Sequence, residues 1–523
     1  MSNHRIINQL EKLIEIGIAL SSKVETEQLL EMILFGAKSI TGADGGTLYS
    51  IQENSIRMEM VHSTSLNLWL GGTSNQPIKL PEIPLYNADG SPNLANIVSY
   101  SYHKKTTVNI VDVYDNSQFD FSGPKKFDQL NNYRSKSFLS VPLNNHENDT
   151  IGVLQLINAI DETTGQSIGF DQVAHRFTEA LASQAAIVLT KQHLIDDLEM
   201  MFESMIHLVA TAIDDKSPYT GGHCRRVPEL TMMLAEAAHK TDTGYLKDFT
   251  MTDADRYELK IAGWLHDCGK ITTPEYVVDK ATKLETIFDR LDLVETRFEV
   301  LKRDAKIKML EQTLANPAES ETFAAHYQAE IKQQEEDFAF IKRSNTGGEF
   351  MKTEDKERIF AIAEGSWQLG DEILPTLSKN EVENLIIERG TLTAAERQII
   401  NHHIVATIAM LNKINFPKHL RRVPEYAGGH HEKMDGKGYP NGLTREQMSI
   451  QARVMAIADI FEALTASDRP YKSGKKLSQA LAILEKMKDD QHVDPDLYNA
   501  FIEHKVYLSY AKRFLAPNQI DVD

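Results

Sequence analysis

His430-His431-Glu432-Lys433-Met434-Asp435-Gly436-Lys437-Gly438-Tyr439-Pro440 is the stretch around which the chain is organised. Two adjacent histidines open it, and a glycine-rich turn ending in proline closes it. Neutral imidazole is the commonest protein metal ligand, so a histidine pair beside such a turn points to a metal site. Histidine pairs also occur on solvated surfaces, and the reading gains its strength from three other places. These are His266-Asp267 in Leu265-His266-Asp267-Cys268-Gly269-Lys270, a histidine in Asn401-His402-His403, and His223 after the turn Tyr219-Thr220-Gly221-Gly222. Asp459 adds a carboxylate inside the apolar run Ala456-Ile457-Ala458-Asp459-Ile460-Phe461. A carboxylate there is costly unless it is paired or metal-bound. Imidazoles and carboxylates from separate helices converge inside a bundle to hold a two-metal centre.

The 523 residues suggest two to four domains, with an ordinary balance of 41% hydrophobic and 25% charged residues. A formal charge of −19 with no offsetting basic stretch argues against a nucleic-acid polymer as partner. A small anionic substrate remains compatible, because metal ions and a few local cations outweigh distant charge. No run is apolar enough for membrane insertion, and Met1–Leu13 does not read as a secretory signal, so a cytoplasmic location is expected. The two cysteines, Cys224 and Cys268, form no disulfide framework and read as small buried residues on helices.

Residues 5–20 and about 26–40 have helical apolar spacing. Alternating β-rich segments follow at 46–52, 56–63, 106–113, 137–143 and 150–159, separated by turns such as Asn144–Asp149. A helix over 170–189 closes this part, an α+β arrangement. The helix continues, with Leu194, Leu198, Met201, Met205 and Leu208 stepping by four and three. Such a seam predicts a dimeric helical linker; packing on the chain's own domain is the alternative. Next come helices over 228–239 and 253–266. Lys270 lies one turn beyond His266, on the same face. Leu284, Ile287, Leu291, Val294, Phe298 and Leu301, with a second helical run over 323–341, predict an inserted helical hairpin over about 284–341. Residues 353–390 read as helical. Thr393 and Glu396 form a predicted capping box for one helix carrying Ile399, Ile400, His403 and Thr407. His403, rather than His402, shares a face with those residues and is taken as the ligand. Further helices are expected over 449–466, 477–487 and 495–504.

The order of elements, with Ser137–Leu143 followed by Ile151–Asn158, resembles a GAF domain over about residues 20–190. The resemblance implies a sensor domain with an unknown small ligand. Asn158, Phe170 and Asp171 match the cyclic-nucleotide pattern of the family only loosely, since Ala159 replaces its lysine. A dimerising or ligand-free sensor stays open beside a cyclic-nucleotide receptor. The later histidines, His266-Asp267 with Gly269-Lys270, and Gly438-Tyr439-Pro440 together resemble the HD-GYP family of HD-domain metal phosphohydrolases. The predicted organisation is a multidomain chain. It comprises an N-terminal helix 1–19, an α+β GAF sensor domain 20–190, a helical linker 191–212, and an all-α HD-GYP domain 213–515 carrying the insertion.

The resemblance implies cyclic di-GMP phosphodiesterase activity giving linear pGpG, with GMP as a slower further product, and the helical seam adds the expectation of a homodimer. It implies that His223, His266, Asp267 and Asp459 hold one metal. Asp267 bridges to a second, completed by His403, His430 and His431. Both ions are expected to be iron or manganese. Asp267 and Lys270 are the implied catalytic residues, and Lys270, Tyr439, Arg469 and Lys472 match substrate-binding positions. Tyr219 stands where some members carry a third-metal glutamate, so two metals are expected, and Ser217 replaces a frequent aspartate. Another cyclic dinucleotide such as cyclic GMP-AMP would use the same metal motifs. A non-hydrolysing cyclic-dinucleotide scaffold is the alternative from a different class.

Overall fold

The computed structural model describes residues 2–20, 25–216, 222–348, 350–467 and 474–522. The chain divides into two compact units, Met1–Phe202 and Glu203–Asp523.

The first unit is built on an antiparallel sheet. Its strands are β1 (Ala43–Ile51), β2 (Ser55–Ser63), β3 (Leu68–Gly71), β4 (Ile83–Pro84), β5 (Val108–Ile110), β6 (Phe138–Asn144), β7 (Thr150–Ile160) and β8 (Ser167–Ile168). The main path runs β3-β2-β1-β7-β6-β5, with β4 on β2 and β8 on β7. Leu48 stands opposite Leu154, and Leu154 opposite Val141. Successive side chains point to opposite faces. Leu48, Leu154 and Val141 therefore pack against the helices Thr26–Thr41 and Gln172–Lys216 through Ile33, Leu34, Leu181 and Ala185. Tyr49, Val153 and Phe138 face the other way, onto Ile97, Val98 and Phe121. Both faces are covered, which explains the nearly unbroken apolar run of β6 and β7. Strands stand at all five expected places, although the one expected over 106–113 is only Val108–Ile110, and β3, β4 and β8 were not anticipated.

Gln172–Lys216 is one unbroken helix of 45 residues. At 1.5 Å per residue it is roughly 68 Å long. Leu194, Leu198, Met201, Met205 and Leu208 are each 54–69% exposed, so the seam is not spent on packing within the chain.

Among the described residues the second unit is helical apart from one ribbon. Helices His223–Lys240, Asp253–Leu265, His403–Leu411, Val423–Gly428 and Ile450–Thr465 surround the candidate site. The insertion is a hairpin of Leu291–Ala315 and Ser320–Ser344, beginning later than the expected 284. Leu284 is not helical; it is buried at the hairpin's base with Val294, Phe298, Phe340 and Ile341. The helical reading of 353–390 is corrected in part, because Ser366–Leu369 and Glu372–Pro375 pair as two antiparallel strands. The predicted capping box at Thr393 and Glu396 is present. The single helix expected after it is two, Ala394–Asn401 and His403–Leu411, so His403 opens a new helix and shares its buried face with Thr407 and Leu411. No helix among the described residues is long and apolar enough to cross a membrane.

Candidate metal centre

Each candidate ligand sits at a helix end or on an inward helix face. His223 is the first residue of its helix, and His266 and Asp267 follow the last turn of Asp253–Leu265. His403 opens a helix, His430 follows the short helix Val423–Gly428, and Asp459 lies mid-helix. The turn Cys268–Thr272 crosses the start of the His403 helix at very close range. A Cβ on Gly269 would stand 2.0 Å from the His403 carbonyl oxygen, so only glycine permits this approach. The Gly269 N–H donates to Thr407 Oγ1 at 2.9 Å and locks the crossing.

The side chains converge into two groups, His223-His266-Asp267-Asp459 and His403-His430-His431, whose ligand atoms lie within 4.8 Å of one another inside each group. Asp267 touches both. Its Oδ2 is 3.1 Å from His223 Nε2 and 3.3 Å from His266 Nε2, while its Oδ1 is 3.3 Å from His403 Nε2. Asp459 Oδ1 lies 3.3 Å from His223 Nε2 and 3.8 Å from His266 Nε2. His431 Nε2 lies 3.1 Å from His403 Nε2.

Three imidazoles are oriented alike. Nδ1–H of His266 faces the Gly263 carbonyl at 2.8 Å, His403 that of Ile400 at 2.6 Å, and His430 that of Ala427 at 2.6 Å. With Nδ1 spent as a donor, Nε2 is the lone-pair nitrogen, which is how metal-ligating histidines are held. His266 Nε2, His430 Nε2 and Asp267 Oδ1 are buried, and none finds a hydrogen-bond partner among the described residues. Orphaned buried polar atoms are costly and call for an explanation. A cation between them satisfies all three, so the cluster could bind metal.

The charges agree. At Asp267 burial opposes ionisation, but Lys270 and His266 outweigh it and hold the carboxyl well below its usual range. Burial pushes His431 down to about 4 despite Asp459, and holds His430 well below its ordinary value. At His266 burial is outweighed by Asp267, which lifts the imidazole to about 9. Ionised carboxylates and neutral imidazoles are the forms that bind cations. Glu462 outweighs burial at His223 and holds that imidazole well above its ordinary value too, so a bound cation would displace the protons of His223 and His266.

Two carboxylates not singled out from the sequence complete the site. Glu462, fully buried, meets His223 Nδ1 at 2.5 Å and accepts from Arg226 Nε at 2.7 Å. Glu432 accepts from the N–H groups of Asn441 and Leu443 at 2.8 and 2.9 Å, which folds the Gly438-Tyr439-Pro440 turn back on itself. A Cβ on Gly438 would stand 2.4 Å from Glu432 Cα, so this turn also requires glycine. It lays the Tyr439 ring on His431, with centroids 4.8 Å apart and planes at 20°. Lys270 Nζ donates to Asp267 Oδ2 at 2.6 Å. Ser217, Tyr219, Arg469 and Lys472 lie outside the described residues. Cys224 and Cys268 are buried as expected.

Family comparison agrees with this layout. The GAF domain model matches residues 25–189, and two HD domain models match 220–359 and 324–497. A 3′3′-cGAMP-specific phosphodiesterase of Vibrio cholerae is 36% identical over 141 residues, 26% of this chain and 29% of that relative. A cyclic di-GMP phosphodiesterase of Thermotoga maritima is 33% identical over 121 residues, 23% of this chain and 32% of the relative. One from Pseudomonas aeruginosa is 34% identical over 132 residues, 25% of this chain and 31% of the relative. The chain thus spans about three tenths of the length of the curated relatives it matches. Along the chain the GAF match precedes the two HD matches, in the order of the two compact units.

Proposed function

We propose that the chain is a metal-dependent phosphodiesterase that opens cyclic di-GMP to linear pGpG, and more slowly to GMP, under the control of its GAF domain. The observation that carries the reading is the set of buried ligand atoms on His266, His430 and Asp267 without a hydrogen-bond partner among the described residues, inside two adjoining ligand groups. His223, His266, Asp267 and Asp459 would hold one ion, and Asp267, His403, His430 and His431 a second. The mixed nitrogen and carboxylate donors suit iron or manganese. Two such ions, when bound there, would supply a nucleophile at neutral pH and neutralise phosphoryl oxygens. Lys270, held protonated beside Asp267, adds a cation for the charge that develops on the phosphate. Tyr439, propped on His431, offers a ring at the edge of the cluster for the substrate to meet. Arg469 and Lys472 are carried as further phosphate or guanine contacts on the family resemblance alone.

A second substrate is favoured by one observation: the 36%-identical relative is named for 3′3′-cGAMP. Parallel incubations of cyclic di-GMP and cyclic GMP-AMP, with His266→Ala and Asp267→Ala as controls, test both readings. Turnover of either substrate that vanishes in both variants supports the enzyme. Turnover surviving in a metal-replete Asp267→Ala variant overturns the site assignment, and binding without turnover favours the scaffold.

Two partners belong to the same reading. The GAF unit contains a cavity of about 510 Å³ lined by Tyr49, Met58, Leu68, Ile97 and Phe138, with Glu82 and Asp120 among its lining and no lysine or arginine among its described lining residues. His62 also lines it, but with two carboxylates and no lysine or arginine in the wall an uncharged, largely apolar ligand is favoured over a cyclic nucleotide. The exposed seam Leu194–Leu208 would pair with the same seam of a second copy.

A further inference from the structure

The last turn of the helix Gln172–Lys216 reaches both sides of the first ligand group through two side chains, neither of which was singled out in the sequence. Asp214 is buried, and its carboxylate accepts from the Gly222 N–H at 3.1 Å and the Cys224 N–H at 3.3 Å. These are the cap and second residues of the helix that His223 opens. That helix has no cap from its own Gly222, so the neighbouring helix supplies the acceptor its first turn lacks. Gly222 itself has φ +90°, and a Cβ there would stand 2.7 Å from Arg226 Nη1, so the chain enters the His223 helix by one narrow route.

Two residues on, Lys216 Nζ donates to the carbonyls of Lys270 at 3.2 Å, Ile271 at 2.5 Å and Thr273 at 2.5 Å. These carbonyls end the turn that begins at Asp267. An ammonium shared among three carbonyls is a strong, charge-assisted tie. A single helical turn therefore grips the backbone beside His223 and the backbone beside Asp267, whose ligand atoms are 3.1 Å apart. Metal coordination tolerates only about 0.2 Å in ligand distance. A shift of this helix end far smaller than one helical rise changes the first site's geometry. The helix is continuous back to Gln172, within the GAF-matched residues.

We propose that Asp214 and Lys216 are positioning residues that make occupancy of the first metal site, and hence turnover, depend on where the end of the long helix sits. The inference rests on the metal-dependent reading of the site and adds the point at which the helix acts on it. It is a mechanical input to the ligands, distinct from any contact with substrate.

The test uses the full chain with Lys216→Met, Lys216→Arg and Asp214→Asn. Manganese affinity is measured by titration of the metal-free protein, alongside kcat and KM for cyclic di-GMP and the thermal midpoint. Loss of an outer tie to a ligand costs about 10- to 100-fold in metal affinity or activity. The expected result is a manganese affinity lowered by that range in Lys216→Met and Asp214→Asn, with kcat falling at limiting manganese, recovering as the metal approaches saturation, and KM unchanged. Lys216→Arg, which keeps a cation with donors, recovers most of the loss. Wild-type affinity and kcat in a folded Lys216→Met overturn the proposal. So does an equal loss in Lys216→Arg and Lys216→Met, which would mark general misfolding. If the wild type binds manganese but hydrolyses nothing, the phosphodiesterase reading fails, and the affinity series still decides the positioning claim.

Discussion

Gly269→Ala is the smallest change that separates the two ligand groups. The added methyl would stand 2.0 Å from the His403 carbonyl oxygen, 2.5 Å from the Thr407 nitrogen and 2.7 Å from Thr407 Oγ1, where ordinary contact begins at 3.4 Å. The first two are backbone atoms, so no side chain can swing aside. The turn Cys268–Thr272 and the helix His403–Leu411 must part by more than 1 Å on the scale of these contacts, and the Gly269–Thr407 hydrogen bond at 2.9 Å is lost. Overpacking of this kind costs about 1–3 kcal/mol, and the lost bond about 1 kcal/mol more. Stability falls by about 2–4 kcal/mol, a fraction the unit can survive. Function suffers more, because Asp267 and His403 ride on the two parting elements and sit 3.3 Å apart. A displacement above 1 Å exceeds the tolerance of a shared metal site several-fold. Metal quantification after gel filtration, calorimetric unfolding and cyclic dinucleotide turnover together read the outcome. The expected variant is folded, short of metal and at least a hundredfold slower. Full metal occupancy with wild-type turnover would refute the argument from close approach.

Three other expectations follow from single groups. Glu462→Gln keeps the shape beside His223 but removes the buried charge that orients it, so manganese affinity should drop about 10- to 100-fold with KM unchanged; an affinity within twofold of wild type contradicts this. Glu381 is buried, and although burial opposes its ionisation, Arg297 at 2.7 and 3.0 Å and the Ser378 N–H lower its pKa. Its folded value lies below the unfolded one, so its contribution is complete above about pH 4.5 and is lost as pH falls through the folded value. The gap in thermal midpoint between wild type and Glu381→Gln should be widest near pH 6 and close towards pH 3; a constant gap refutes it. In the GAF cavity, neutral N-phenyl-1-naphthylamine should bind and its sulfonated analogue, 8-anilinonaphthalene-1-sulfonate, should not compete for the site. Val61→Trp, which fills the cavity, should abolish the neutral probe's signal, and equal competition by the sulfonate would overturn the charge argument.

The candidate ligands were legible because their chemistry needs scarce residue types in short, distinctive runs. His266-Asp267 and His430-His431 announce themselves, and Asp459 stands out as a carboxylate in an apolar helix. The same reasoning applied three residues later would have found Glu462, which is also a charge among apolar neighbours and is fully buried. Asp214 and Lys216 carry no such signal, since a charged pair at a helix end is ordinary and only the tertiary contact gives it meaning. The strand ribbon 366–375 was missed because its alternation lasts four residues a side, although Gly370-Asp371 between them is a turn pair. The break at His402 has no proline or glycine to mark it. It lies beside the close crossing at Gly269, which only the packed structure reveals.

The central claim is tested most directly by purifying the chain without oxygen, counting bound metal, and resolving the products formed from cyclic di-GMP by chromatography. The account predicts about two iron or manganese ions per chain and linear pGpG, with GMP appearing later. A chain that holds no metal and leaves both cyclic di-GMP and cyclic GMP-AMP intact after reconstitution with iron and manganese would contradict it.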